Sequence, residues 1–241
     1  MRYDGRETGE ELRQLKITRD FIKYPQGSVL IEMGDTKVIC TAMIEDKVPQ
    51  FLKGSGSGWV SAQYAMLPAA NATRKQRDID RLKLDGRSAE IQRLIGRSLR
   101  AAVDLKALGE RTVWIDCDVI QADGGTRVTS INGGFIALYD AVGTLISEGA
   151  LRRDPIKNFV GAVSLGIVDD EILADLCYHE DSRAQVDMNV VMTSAGEFVE
   201  VQTTGEGRAI RRDEMSKLLE LAESSVKQII GIEKEVLGYR K

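Results

Sequence analysis

The feature that most constrains the fold is a plan that occurs twice along the chain, in which short strand patterns precede a helical pattern. Strands are predicted at about 27–46 (a hairpin), 59–67 and 112–122 in the first half, and at 159–168, 171–176, 184–192 and 197–203 in the second. Helical apolar spacing occurs at about 87–105, 135–146 and 215–230. No linker separates the halves. The sequence therefore predicts one α+β domain over residues 1–241, with two similar β-α lobes of mixed, largely antiparallel sheets and packed helices.

A glycine turn, Asp123-Gly124-Gly125-Thr126-Arg127, follows the strand predicted at 112–122. Adjacent glycines let the backbone turn sharply and point its N–H groups at an anion, and a following helix adds its positive end. We expect Asn132-Gly133-Gly134 to delay that helix until Phe135. The alternative is an ordinary turn, since most Gly-Gly pairs only reverse the chain. A P-loop is excluded because its motif is absent.

The helix predicted at about 87–105 separates its arginines into two groups. At 100° per residue, Arg87 points with the apolar face, whereas the opposite face carries Arg93, Arg97 and Arg100. A charge on a buried face needs an anionic partner, which a bound phosphate would supply to Arg87. We expect the opposite face to meet solvent or another subunit.

Charge is unevenly distributed in a chain whose net charge is −4. From Arg74 to Arg100 we count nine Lys and Arg against four acidic residues. This basic island favours a localised site for a polyanion, and a solvated helix face is the alternative. The island begins inside a segment, Ala69 to Lys83, that lacks an apolar period and is predicted to be a mobile basic loop.

Two aspartates in the second half form a candidate metal site. Asp181 and Asp187 are six residues apart, which places both on one face if the segment is extended. Two hard oxygen ligands suit Mg²⁺ or Mn²⁺, with a substrate phosphate completing the coordination shell. The alternatives are an acidic turn beside one capped strand residue, and a rival pair on the strand at 112–122, Asp116 and Asp118.

The number of histidines, the spacing of the cysteines and the hydropathy pattern exclude several classes of protein. His179 is the single histidine, so a multi-histidine metal site is impossible, and we predict that His179 is a bystander. Three widely spaced cysteines are predicted to be free and buried. No apolar run approaches the roughly 20 residues of a membrane span, and the start of the chain lacks the apolar core of a secretory signal. We therefore expect a cytoplasmic protein without membrane partners.

Several motifs, in order, resemble the bacterial ribonuclease PH family of phosphate-dependent 3′→5′ exoribonucleases, which is related to polynucleotide phosphorylase and the exosome core. They are Arg2-Tyr3-Asp4-Gly5-Arg6, Gly58-Trp59-Val60-Ser61-Ala62-Gln63-Tyr64, Met66-Leu67-Pro68, Glu90-Ile91-Gln92-Arg93-Leu94-Ile95-Gly96-Arg97, Asp116 through Arg127 and Glu180 through Met192. The resemblance implies that inorganic phosphate binds to Arg87, Gly125, Thr126 and Arg127. It also implies that Asp181 and Asp187 serve catalysis and metal binding.

The resemblance further implies a substrate and an assembly. Its members trim 3′ extensions of tRNA precursors, release nucleoside diphosphates and add nucleotides in the reverse reaction. They form hexameric rings, each a trimer of dimers. Arg74 and Arg77 occupy two positions that hold the tRNA acceptor stem, whereas Ala69 stands where many relatives have arginine. The segment from Gln202 to Ile210 also departs from the family pattern. The alternative function is a non-catalytic RNA-binding subunit of such a ring.

Overall fold

Two β-sheets form the framework of the protein, whose computed structural model describes residues 1–77 and 85–239. The first sheet has the order β1-β2-β3-β5-β4, in which only the β4–β5 pair is parallel. Its strands are β1 (Leu15–Arg19), β2 (Gly27–Met33), β3 (Thr36–Glu45), β4 (Trp59–Met66) and β5 (Thr112–Gln121). The antiparallel second sheet has the order β7-β6-β8-β9. Its strands are β6 (Val160–Val168), β7 (Glu171–Ala174), β8 (Val186–Thr193) and β9 (Phe198–Gly205).

Five α-helices connect or cover these sheets in the described part of the chain. They are α1 (Gly86–Ala102), α2 (Leu105–Leu108), α3 (Thr126–Ser147), α4 (Tyr178–Asp181) and α5 (Arg212–Val236), and Gln50–Leu52 forms a 3₁₀ turn. Each sheet is therefore followed by a long helix, α3 or α5, which confirms the predicted α+β fold. None of the helices at 1–77 and 85–239 has the length and apolar character needed to cross a membrane.

Helix α3 occupies the centre of the molecule, where it contacts β2, β3 and β5 of the first sheet and β6 of the second. It begins at Thr126, so the prediction that Asn132-Gly133-Gly134 delays the helix to Phe135 is wrong. The Asn132 side chain instead pairs with the Ala162 backbone, with Ala162 N donating at 2.7 Å and Asn132 Nδ2 donating to the carbonyl at 3.0 Å. A Cβ at Gly133 would lie 2.6 Å from Ile31. Contacts with both sheets thus explain a polar and glycine-rich segment inside a helix.

Alternation along β5 matches the prediction, with apolar side chains buried and Asp116 and Asp118 on the outer face. Along α1, the apolar residues Ile91, Leu94 and Ile95 are buried. On the opposite face Arg93 and Arg97 are exposed. Arg100 is half-buried, lies over the Trp59 ring at 4.3 Å and donates to the Val60 carbonyl. The three cysteines are free and buried, as predicted.

The sequence patterns missed β1, a five-residue strand in which the half-buried Leu15 and Ile17 alternate with exposed residues. The condition under which the spacing of Asp181 and Asp187 places both on one face, an extended segment, is not met. Asp181 is the last residue of α4, whereas Asp187 is the second residue of β8. The chain turns between them, and the two carboxyl groups are close enough that Asp181 helps to raise the pKa of Asp187.

Candidate active site

An open cavity of about 660 Å³ lies where the start of α1, the start of α3 and the α4–β8 segment meet. It brings together the six residues predicted to bind phosphate or metal: Arg87, Gly125, Thr126, Arg127, Asp181 and Asp187. The first four come from the first lobe, which consists of the first sheet with α1, α2 and α3, and the two aspartates come from the second lobe, which consists of the second sheet with α4 and α5. The cavity therefore places a candidate anion site beside two carboxylates.

The glycine turn forms one wall of this cavity and leads directly into α3. Gly124 and Gly125 have φ angles of +76° and +64°, and a Cβ at Gly124 would lie 2.4 Å from the Leu176 carbonyl oxygen. Gly125 is the N-cap of α3, and no side chain caps the helix there. The positive end of a 22-residue helix consequently faces the cavity with backbone N–H groups available to an anion.

A pair of hydroxyl groups extends this wall of the cavity. Thr126 is buried, and its Oγ1 accepts a hydrogen bond of 3.0 Å from the Tyr64 hydroxyl. Because that bond occupies Thr126 as an acceptor, the threonine proton is left for a ligand in the cavity. Burial raises the pKa of Tyr64, so its phenol stays protonated and keeps donating at neutral pH.

The two arginines are held differently. Arg127 donates to Gln202 Oε1 at 2.9 Å and lies 3.8 Å from Glu90, and Gln202 in turn donates to Glu90 at 2.9 Å. Arg87 is exposed and forms no hydrogen bond or ion pair with residues 1–77 or 85–239. The prediction that Arg87 lies on a buried face is wrong, because its side chain is exposed in the lining of the cavity, one helical turn before the buried Ile91.

Burial raises the pKa values of both aspartates. Burial raises the pKa of Asp187 to about 6, with a further contribution from Asp181, while Arg127 and Arg87 oppose the rise. Burial likewise raises the pKa of Asp181, again against the two arginines. In the described chain the only side-chain partner of the Asp187 carboxyl is Asn189 Nδ2, at 3.3 Å. Two half-buried carboxyl groups without a bound cationic side chain fit a divalent ion that prefers oxygen ligands.

No cluster of three or more His, Cys, Asp or Glu suited to a metal occurs at residues 1–77 and 85–239. A cation at this site would therefore need ligands from elsewhere, such as phosphate oxygens or water. The rival pair, Asp116 and Asp118, lies on the outer face of β5 and does not line the cavity.

Buried ion pairs connect the glycine turn to the segment that carries Asp181. Arg13, with 4% of its side chain exposed, pairs with the fully buried Asp175 through Nη2–Oδ1 at 2.6 Å and Nε–Oδ2 at 3.0 Å. The same guanidinium donates from Nη1 to the Asp123 carbonyl. Nearby, Arg2 forms two hydrogen bonds with Glu180, at 2.8 and 2.6 Å. The wall formed by the glycine turn and the wall that carries the aspartates are thus braced by arginine forks.

Two family models match the chain. One for domain 1 of the RNase PH 3′ exoribonuclease family matches residues 11–142, and one for domain 2 matches residues 158–225. The chain belongs to this 3′ exoribonuclease family. The two matches correspond to the first sheet with most of α3, and to the second sheet with the first half of α5.

Solved structures of exosome subunits share the fold. Rice (Oryza sativa) Rrp46 superposes with a TM-score of 0.79 at 18% identity, covering 98% of this chain and 100% of Rrp46. A chain of the Archaeoglobus fulgidus exosome with RNA bound to the active site gives 0.81 at 22% identity, covering 95% and 91%. A chain of an archaeal exosome core gives 0.75 at 20% identity, covering 97% and 90%. These similarities extend over nearly the whole chain.

Within this family fold, other predicted residues lie outside the cavity. Arg74 and Arg77 are exposed and do not line it. The remainder of the predicted basic loop, including Lys83, lies outside the described residues. His179 stacks on Tyr3 with ring centroids 3.7 Å apart and does not line the cavity, in agreement with its prediction as a bystander.

Sequence patterns missed several residues that line the cavity. Those with polar side chains include Lys75, Ser164, Tyr178, Asn189, Gln202 and Glu206. Two features of the sequence could have identified Ser164 and Asn189. Ser164 is the only hydroxyl in an otherwise apolar strand, β6, and Asn189 follows Asp187 by two residues, which places both on one face of β8.

Proposed function

We propose that the protein is a phosphorolytic 3′→5′ exoribonuclease that trims 3′ extensions of tRNA precursors and other RNA 3′ ends. The observation that carries the proposal is the joining of an anion-binding helix terminus to two aspartates in one open cavity, within a 3′ exoribonuclease fold. Inorganic phosphate is the co-substrate, and nucleoside diphosphates are released. In the reverse reaction the enzyme adds nucleotides from diphosphates.

The reaction requires positioning and charge stabilisation. Orthophosphate binds to Arg87, Thr126, Arg127 and the Gly125 backbone, and one of its oxygens attacks the phosphorus of the last phosphodiester bond. The bond to the penultimate 3′ oxygen breaks, and that oxygen takes the proton carried by hydrogen phosphate. Because phosphate is already a nucleophile, the site needs no histidine base. The arginines instead neutralise charge on the equatorial oxygens.

Asp181 and Asp187 are the residues that would hold Mg²⁺ or Mn²⁺. A bound divalent ion supplies further charge neutralisation at the reacting phosphoryl group. The raised pKa values support this assignment, since a nearby cation would compensate two carboxylates that are costly to ionise.

The RNA strand and the assembly belong to the same proposal. Arg74 and Arg77 are exposed beside the cavity-lining Lys75, where they would hold the tRNA acceptor stem. Ala69, also exposed, removes one cation expected in that loop.

We further propose a homohexameric ring, a trimer of dimers, to which the exposed Arg93 and Arg97 contribute a polar interface. A stable monomer in light scattering would contradict the ring.

One assay tests the activity. A 3′-extended tRNA is incubated with and without inorganic phosphate, and the products are identified by chromatography. Nucleoside diphosphates that form only with phosphate support phosphorolysis. Monophosphates formed without phosphate indicate a hydrolase, and RNA binding without any product indicates the alternative, a non-catalytic ring subunit.

Arg87→Ala tests the phosphate assignment. We expect its rate at limiting phosphate to fall about 100-fold or more, since it removes a charged group that stabilises the transition state. The matched control is Arg152→Ala, because Arg152 is also exposed and lies outside the cavity. If Arg87→Ala trims RNA as fast as Arg152→Ala, the assignment is wrong.

A further inference from the structure

One buried hydroxyl in the cavity has no partner. Ser164, in the middle of β6, is 3% exposed, and its Oγ forms no hydrogen bond with any group at residues 1–77 and 85–239. The Ser164 carbonyl accepts from Asp175 N at 2.6 Å, so the backbone there is satisfied and only the side chain is left over. Burying a hydroxyl without a partner is unfavourable, which indicates that a ligand completes this group.

The position of the hydroxyl identifies the kind of ligand. A Cβ built on Gly125 would lie 3.4 Å from Ser164 Oγ and 3.1 Å from Arg13 Nη2, so serine and guanidinium meet at the glycine turn. The positive end of α3 begins at the same residue. A ligand here faces helix N–H groups and a cation, which favours an oxyanion over a metal ion.

Other unpartnered buried atoms in the described chain lie elsewhere. They belong to Thr203, Ser225 and Glu233, none of which lines the cavity. Ser164 therefore differs from them in being both unsatisfied and part of the cavity lining. Ser164 pairs with Asn189 of the neighbouring strand β8, and Asn189 also lines the cavity. The Ser164 hydroxyl therefore lies between the glycine turn and the strand that carries Asp187.

We propose that Ser164 donates a hydrogen bond to a phosphoryl oxygen bound at the glycine turn, as a further ligand beside Thr126 and Arg127. The inference rests on the proposed function, because it adds a donor to the same phosphate site. The phosphoryl oxygen belongs either to inorganic phosphate or to the terminal phosphodiester of the RNA. A tetrahedral phosphoryl group has enough oxygens to use the hydroxyls, the backbone N–H groups and the arginines together.

Ser164→Ala tests the proposal, with Ser225→Ala as the matched control. Both serines are buried with unpartnered hydroxyls, but Ser225 lies in α5, away from the cavity. Neither change removes a hydrogen bond within the described chain, so we expect both variants to melt no lower than the wild type. Calorimetry gives the Kd of inorganic phosphate without RNA, and steady-state assays give KM for phosphate and for RNA.

We expect Ser164→Ala to weaken binding roughly tenfold, the effect of one lost hydrogen bond to a charged group, with no change in Ser225→Ala. A higher Kd for phosphate identifies the inorganic ion as the ligand, whereas a higher KM for RNA alone identifies the phosphodiester. Equal values for both variants overturn the proposal and indicate a water at Ser164. A wild type that binds phosphate yet forms no diphosphates overturns the proposed function instead, while the Kd comparison still decides the role of Ser164.

Discussion

Asp187→Asn is expected to abolish the activity and, in the absence of divalent metal, to make the protein more stable. The folded-state pKa of Asp187 is about 6, against an ordinary value of 3.8, with burial as the largest cause. The folded protein therefore favours the protonated carboxyl group. The stability associated with that proton is fully present below the unfolded pKa and is lost as pH rises toward the folded pKa.

The magnitude follows from the two pKa values. At about 1.4 kcal/mol per pH unit, the higher pKa of Asp187 in the folded state lowers the free energy of unfolding, relative to its value at low pH, by about 1 kcal/mol at pH 4.5 and about 3 kcal/mol at pH 8. An asparagine cannot ionise and has nearly the same shape. Allowing for the hydrogen bonds that its amide needs, we expect a gain of about 1–3 kcal/mol at pH 8, or roughly 3–10 °C in Tm for a chain of this size.

The assay is thermal unfolding in EDTA at pH 4.5 and pH 8, with Asp35→Asn as control, because Asp35 is exposed on the β2–β3 turn. A second series with Mg²⁺ should raise the Tm of the wild type and leave that of Asp187→Asn unchanged, since metal binds only the intact pair. The reasoning is refuted if the Tm of Asp187→Asn rises no more than that of Asp35→Asn at pH 8, or if the rise does not shrink toward pH 4.5. In either case the burial of ionised Asp187 does not lower the free energy of unfolding as we infer.

Two further predictions concern buried charges elsewhere. Arg13→Lys keeps the charge but loses the guanidinium fork that joins Asp175 to the Asp123 carbonyl. We expect kcat to fall roughly tenfold, because the residues of the site are then misplaced. The control is Arg19→Lys, the same change in an exposed fork on Asp140, and equal activity of the two variants would contradict the prediction. The Glu233 carboxyl is fully buried and unpartnered in the described chain, and burial raises its pKa well above 4.5. Because a raised folded pKa makes stability fall as pH rises, Glu233→Met should be more stable by about 1–3 kcal/mol at pH 8 and by less at pH 5, as measured by urea unfolding.

The parts of the fold that sequence predicted depend on local pattern. Alternation along β5, helical spacing along α1 and the glycine pair before α3 are each visible within a short stretch of sequence. Start and end points that depend on distant partners were not predictable. The helix at Asn132-Gly133-Gly134 requires Ala162 to satisfy the amide and Ile31 to pack against the missing Cβ, and neither is visible from the local sequence.

The residues of the site also divide into those that the sequence predicted and those that depend on the folded structure. Residue types and order placed Thr126, Arg127 and Asp187 in one candidate site through the family resemblance, and the structure brings them to one cavity. The exposure of Arg87 was missed because a helical wheel assigns a face but does not show where the core ends. Ser164 was missed because a single serine in an apolar strand is unremarkable until its hydroxyl is found without a partner.

Neither lobe contains the complete site, and this division explains the buried ion pairs around it. The anion wall belongs to the first lobe and the aspartates to the second, and they meet where Gly124 packs against the Leu176 carbonyl. Replacing a buried ion pair with apolar side chains is often neutral or stabilising, so the Arg13–Asp175 pair is not required for stability as such. A guanidinium fork, however, fixes distance and direction in a way that apolar contacts do not. We infer that this pair maintains the spacing between the bound phosphate and the aspartates, on which the rate of an in-line transfer depends steeply.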